Sequence, residues 1–577
     1  MPNSPSTGGG RGEARSKRII IIQMNKQFIA IVFLTGTFAA ANAQEPNKGK
    51  TIDVTSQFKP VLREASKINF NATEPAVDTT KPRLIYNIPA QNLFFSYQPA
   101  GVNPVALKVD SINSWQYSNF IKAGIGNIHQ PYIKAGFSFG DGKQTFFNLF
   151  ANHYTSKGDL AFQKNSQTSV GAAATYKTNK NLEWNGSLGF RSDDYYLYGF
   201  QPDSLKNKYT KDDLRQRFQT IEGKIDFRNI APTEYGLNYH PSIRVSGFSD
   251  NISNTPKGSE TNTVLNLPLE KTFGEKFAFG LGATADLTNY KFGDKGNKTT
   301  LQNNLYQLAA ALSLKTDNVY LHAGILPIWD HKDFHMLPDI MADITTDDKK
   351  FTLQLGWVGG YQKGSYQRLA SINPFLAQPD TLMNTRTIEM YGGIKGSLGD
   401  HFSYSTKIGV ITYHNMPLFV NNFVTDSTGK NFLIRYEPKM NDLQIHGELG
   451  YTVGEEFNVT AGLTWNSYYK LEQEKDAYGL IPIEFNAAVH WQMVKDLFFY
   501  TELWAWNKPR YLGKNGDSFK GDKAFDLNAG VEYKITKNFN LWIQLNNLLN
   551  QDYQRWNQYH VFGFSFMGGL TYSFNTK

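Results

Sequence analysis

The sequence predicts an all-β chain, a transmembrane antiparallel outer-membrane β-barrel of about 22 strands with a short N-terminal periplasmic arm. Three observations predict it. The 577 residues hold 14% aromatics, with 31 Tyr and 41 Phe, yet only 40% hydrophobic residues and a mean hydropathy of −0.44. Such a chain is too aromatic to be disordered and too poor in aliphatic residues for a large soluble core. Beyond one stretch near the N-terminus, no run approaches the ~20 apolar residues of a membrane helix. From about Trp115 to Phe574 the chain instead alternates apolar and polar residues in segments about ten residues long, which averages to a hydrophilic hydropathy.

Taken in order, residues 1–23, with Gly8-Gly9-Gly10 and the Ile19 to Ile22 run, read as an upstream start artefact. Met24 opens a second N-terminus: Lys26, an apolar core from Phe28 to Ala40, then the small residues Ala41 and Ala43 at −3 and −1. This is the layout of a secretory signal peptide over 24–43, cut between Ala43 and Gln44. Its core is short for a membrane span, and no basic stop-transfer cluster follows. Residues 44–114 form a Pro-punctuated segment (Pro60, Pro75, Pro82, Pro89, Pro99, Pro104), expected to be an extended periplasmic arm.

The barrel, 115–577, is read from its turns. Short polar breaks fall at 140–143, 178–181, 229–234, 272–275, 316–318, 347–350, 398–401, 453–456, 493–496 and 535–538. Between them lie longer polar segments such as 195–214, 362–385, 414–431 and 508–523. Alternation alone would also suit a soluble sandwich, but short turns at one end and long loops at the other are the outer-membrane signature. Ten periplasmic turns with both barrel ends in the periplasm imply 22 strands, softened by a weak strand at 340–346 and a segment at 431–451 that reads as one strand or two. Leu541, Ile543 and Leu545 are assigned to lipid, and Asn540, Gln544 and Asn546 to the lumen. Tyr195, Tyr196, Tyr468, Tyr469, Trp504 and Trp506, close to strand ends, read as rim or lumen aromatics.

The tail Asn547-Leu548-Leu549-Asn550-Gln551-Asp552-Tyr553, followed by Phe562 to Phe574, resembles the C-terminal end of TonB-dependent outer-membrane receptors. That resemblance implies a 22-stranded barrel closed by an aromatic-rich last strand. Gly569, Tyr572 and Phe574 resemble the signal read by the barrel-assembly machinery, although Gly568 stands at its polar position and the chain continues through Asn575, Thr576 and Lys577. The family's plug domain has no counterpart in the short arm. Within that arm Ile52, Asp53, Val54 and Thr55 resemble the box offered to TonB by strand pairing, while five such residues after a signal peptide read first as an inert linker.

Function classes narrow further. With no Cys, thiolate metal sites, thiol nucleophiles and a lipidated Cys are excluded. The net charge is +8, half of it in residues 1–43, so nucleic acid is not an expected partner. No nucleophile elbow, phosphate loop or zinc-protease motif occurs, so neither an enzyme nor a cofactor is expected. The segment Asp330-His331-Lys332-Asp333-Phe334-His335 offers metal-type ligands but reads as a solvated outer loop, and His446 with Glu448 as ordinary lumen polarity. Asp347 and Asp348 read as a solvated hairpin end. The expected location is the cell outer membrane, with outer-membrane lipid and lipopolysaccharide around the barrel. The expected function is a receptor-like transporter or channel passing or capturing an unidentified solute. The alternative is a plugless barrel that binds a surface lipoprotein or secretion machinery.

Overall fold

The computed structural model describes residues 119–575, apart from 142, 201–204, 254 and 294–295. The cleavage pair Ala43 and Gln44 and the box-like Ile52 to Thr55 lie outside these residues. The described chain forms one closed barrel of 22 antiparallel strands, with a three-residue strand, Leu237–Tyr239, as an extra piece of the same sheet. Closure joins the first strand, Asn119–Gly126, to the last, Ser565–Phe574, in a register running from Asn119 opposite Phe574 to Gly126 opposite Met567. A closed sheet leaves no unpaired edge, which is why β-structure can cross lipid at all.

Each of the ten expected turns separates consecutive strands, and all ten lie at one end of the barrel. Turn chemistry explains their tightness. Gly274, Gly399 and Gly454 have φ of 60°, 64° and 53°, and a Cβ at any of them would touch nothing within 4 Å. Their glycines therefore serve backbone conformation alone. Above the turns runs a ring of exposed aromatics, including Trp184, Phe273, Phe351, Tyr451, Phe498 and Phe539. Such rings suit the water–lipid boundary.

Alternation sets the two faces as expected. Leu541 and Ile543 are 40% and 46% exposed, whereas Gln544 between them and Leu545 is 8%. On the inner face, aromatic rings lie over glycines of the neighbouring strand. Tyr500 pairs with Gly530 and Tyr391 with Gly356, and a Cβ on either glycine would fall 1.9 Å and 2.2 Å from the ring. The ring fills the space that the missing side chain leaves, fixing register.

Three boundaries differ from the sequence reading. The expected loop at 414–431 is shorter, because Phe402–Asn421 continues past His414 to pair with Phe432–Val453, a single 22-residue strand. Asn415, at φ 56°, absorbs the irregularity opposite Pro438, and pairing resumes at Met416 and Glu437. Asp330 to His335 is no loop but a two-residue turn, with Asp330 paired to Asp333 and His335 already inside the strand Asp333–Thr345. The rings of Trp329 and Phe334, 5.2 Å apart, pin it. The last strand starts at Ser565 rather than Phe562, since Phe564 N–H is bound by the Asn550 side chain instead of a strand neighbour.

Candidate functional site

At the end opposite the turns, the outer connections fold together into a cap. Its core joins Leu197, Tyr198 and Phe200 of one loop, the helix Tyr366–Ile372 and Phe375 of a second, and Trp556 and Tyr559 of a third. Phe419 and Phe432 from the tall hairpin complete it. The rings of Phe375 and Tyr559 stack with centroids 3.4 Å apart, and Trp556 sits 5.3 Å from Phe419 and 5.5 Å from Phe432. The hairpin's other face buries Met416, Leu418 and Val420 under Ala477, Tyr478 and Leu480. Two apolar cores thus flank one hairpin, giving these long loops the packing that loops usually lack.

Polar anchors hold the cap to the wall. Glu260 accepts the N–H groups of Tyr366 and Gln367 at 2.5 and 3.2 Å, at the start of the helix, where backbone donors are unpaired. Tyr366 donates its hydroxyl to Asp250 at 2.7 Å. Lys363 pairs with Asp286 at 3.2 Å; burial pulls its pKa down while that carboxylate opposes the shift. Glu437 takes three successive amides, those of Glu472, Gln473 and Glu474, within 3.0 Å.

The tail motif finds its physical reason here. Asn547 donates to the carbonyls of Gln551 and Phe562 and accepts from Gln551 N–H, folding the segment into a hook. Tyr553 donates to Asp526 at 2.6 Å and meets Trp506 edge-on at 5.0 Å. The hook leads the chain into the cap, where Trp556 and Tyr559 join its core.

Beneath the cap lies a lumen cavity of about 1540 Å³. Tyr195, Phe375 and Tyr559 line it at the cap, and Thr352, Thr452 and Asn458, near the turn rim, line the other end. Its wall combines aromatics (Tyr154, Tyr500, Trp504) with amides (Asn152, Asn486, Gln544), a surface suited to orienting a large solute by stacking and hydrogen bonds. Of the aromatics singled out in the sequence, Tyr195, Tyr196 and Trp504 line this cavity, and Trp506 packs with Ile481, Ala524 and Tyr553 in a separate small cluster. The sequence reading missed the cap, whose only trace was the aromatic content of the long loops.

His446 lies 3.0 Å from Glu448 and 2.8 Å from Thr464 on the lumen wall, a hydrogen-bonded ladder rung. His331 pairs with Asp330 at 2.8 Å, while His335 meets Arg386 instead, so the proposed ligands diverge. No group of three or more His, Asp or Glu suited to a metal occurs among the described residues. Asp348 sits in its turn, accepting from Thr346 and Lys350. Gly569, Tyr572 and Phe574 stand in the last strand, with Tyr572 outward and 40% exposed.

A closed barrel with a lipid-facing apolar band, an aromatic ring and end-segregated turns and loops is an outer-membrane β-barrel. Its 22 strands give it the architecture of the TonB-dependent receptors. The fold is similar to that of the siderophore receptor PirA from Acinetobacter baumannii, with TM-score 0.61 and 12% identity over 79% of this chain and 80% of that one. It is similar also to a variant of the ferric enterobactin receptor PfeA from Pseudomonas aeruginosa in complex with enterobactin (TM-score 0.60, 12% identity, 79% and 81% covered). FpvA of P. aeruginosa, bound to a pyoverdine–iron complex, gives TM-score 0.57 and 11% identity over 79% and 72%. At such identities the likeness is one of fold. No protein-family model and no curated protein matches the sequence.

Proposed function

We propose that this barrel is a receptor-type transporter that captures a solute in its lumen and passes it across the outer membrane. The observation that carries the reading is the roughly 1540 Å³ cavity running from the cap toward the turn rim, walled by aromatic and amide side chains. A 22-stranded barrel is too wide for its own side chains to fill, so its lumen needs an occupant or a passenger. Two of the neighbours are described as a siderophore receptor and a ferric enterobactin receptor, which makes an iron chelate the first solute class to test. In sequence the arm 44–114 precedes the barrel, as the plug does in the receptors this chain resembles, and coupling to TonB through Ile52 to Thr55 is part of the proposal. A second reading, a barrel that docks a surface lipoprotein, draws on the cap, whose consolidated loops offer a firm outer platform.

Planar-bilayer conductance of the purified full chain tests the first reading. The cap predicts a silent barrel that conducts once residues 364–383 are replaced by a short Gly-Ser link. A barrel still silent after that replacement and after removal of 44–114 would count against transport and favour docking.

A further inference from the structure

Two carboxylates tie the helix-bearing loop of the cap to the wall, and nothing around them matches their charge. Asp250 and Glu260 lie on adjacent strands, Ser242–Ile252 and Ser259–Phe273, and are 1% and 2% exposed. Glu260 stands thirteen residues above Phe273 at the turn end, so at ~3.3 Å per residue and ~45° tilt it lies about 30 Å up, outside an apolar band ~25 Å tall. Asp250, whose N–H bonds the Gly258 carbonyl, is level with the residues just above it. Both belong to the cap, not to the membrane.

The bonds they accept from the loop all come from residues 366–378. Glu260 takes the amides of Tyr366 and Gln367, while Asp250 takes the Tyr366 hydroxyl at 2.7 Å and the Gln378 side chain at 2.9 Å, besides Gly258 N–H at 2.6 Å. Aromatic rings close the box. Phe248 and Tyr290 are the direct cross-strand partners of Glu260, and their rings pack on Tyr366 at 5.2 and 5.3 Å. The Tyr290 hydroxyl is itself buried with no protein partner. Of the charged groups facing this box, Lys363 is held by Asp286 at 3.2 Å, and the two bear on Glu260 in opposite senses. The exposed Lys257 bears on Asp250 without pairing, and Asp380 of the loop adds a further carboxylate beside Tyr290. Neither Asp250 nor Glu260 makes an ion pair among the described residues.

A carboxylate shut into an apolar box without a counter-ion is costly, and a proton removes the cost. Burial accordingly pushes the Glu260 carboxyl up to about 7 and raises that of Asp250. Lifting the loop returns both to water, where a glutamate loses its proton near ~4.3. The shut cap therefore binds more protons than the lifted one. Acid favours the shut form, and that advantage is lost as pH rises from about 4.3 through 7.

We propose that Asp250 and Glu260 form a proton-operated latch, which holds the loop 363–384 shut over the lumen while protonated and releases it when they ionise. What then passes rests on the transport reading; the movement of the loop does not. The chain has no Cys, so Ser371→Cys on the loop and Lys291→Cys on the wall, both exposed, carry two spin labels and no others. Dipolar electron spin resonance of the full chain in nanodiscs reads the distance between them. From pH 5.5 to 8.5 the ratio of lifted to shut populations should rise about thirtyfold through Glu260 alone. Glu260→Gln with Asp250→Asn keeps the acceptor oxygens and cannot ionise, so the shut distance should persist at both pH values. Heat-modifiable mobility reports whether that variant folds, and Glu260→Gln alone, which should remove most of the step, replaces it if it does not. A wild-type distance distribution unchanged by pH, or a step that survives the substitution, would overturn the latch. Bilayer conductance measured alongside separates the two readings: a loop that lifts at pH 8.5 over a barrel that stays silent supports the latch and counts against transport.

Discussion

Ile543 and Gln544 are neighbours in the strand Phe539–Asn546 that face opposite solvents. Ile543 is 46% exposed toward lipid, while Gln544 lines the lumen and donates to Asn546 at 2.9 Å. One substitution at both sites therefore has opposite outcomes. An arginine on the lipid face near mid-membrane costs ~2–4 kcal/mol, whereas a wet lumen solvates it. Ile543→Arg should sharply lower the yield of folded barrel, and Gln544→Arg should fold. Heat-modifiable gel mobility checks both, and equal folding of the two would remove this strand from the membrane. The same face rule explains why Trp542, between two lipid-facing residues, is 1% exposed: it lies inward, beside Tyr132 at 5.5 Å.

Among the elements, the last strand closes the whole circle. It pairs with Asn119–Gly126 on one side and Phe539–Asn546 on the other. Tyr572 packs against Phe539 at 4.8 Å and stacks with Phe574 at 5.3 Å. Replacing Tyr572 and Phe574 together by Ser should leave export to the periplasm intact yet block insertion, since both the closing strand and the proposed assembly signal lose their aromatic face. Fractionation would then find the double variant in the periplasm or degraded; normal membrane insertion would refute the signal. The cap hairpin is a contrasting element. Its polar sequence predicts a loop over 414–431, yet burial of Leu418 and Phe419 at 0% exposure outweighs the turn chemistry of Asn415 and the Asn421-Asn422 pair.

For the whole molecule, the outer membrane follows from closure together with the outward apolar face. Reaching it requires export, and we propose residues 24–43 as the signal for that. The mature chain should begin at Gln44, which N-terminal sequencing of the outer-membrane fraction checks; a mature chain that still contains Phe28 to Ala40 would overturn the signal-peptide reading. Long-range order is spread unevenly across the barrel. The turn end is uniform and tight, while the outer end spends its long loops on a cap with two apolar cores. That asymmetry places the lumen cavity behind a roof of packed loops.

The amino-acid sequence by itself determined the strand count, the ten turns and the facing of strands such as Phe539–Asn546. Each is a local property: a period of two, a glycine at positive φ, an aromatic beside a turn. It also marked Asn547, Asn550 and Tyr553 as a motif without saying what they hold. Only the tertiary structure decided that Tyr366, Phe375, Trp556 and Tyr559, up to 193 residues apart in the chain, share one core. Apolar residues in loops have no period to betray a partner, and cross-strand neighbours are set by turn and loop lengths summed around the barrel. Contacts of that kind exist only once the sheet has closed.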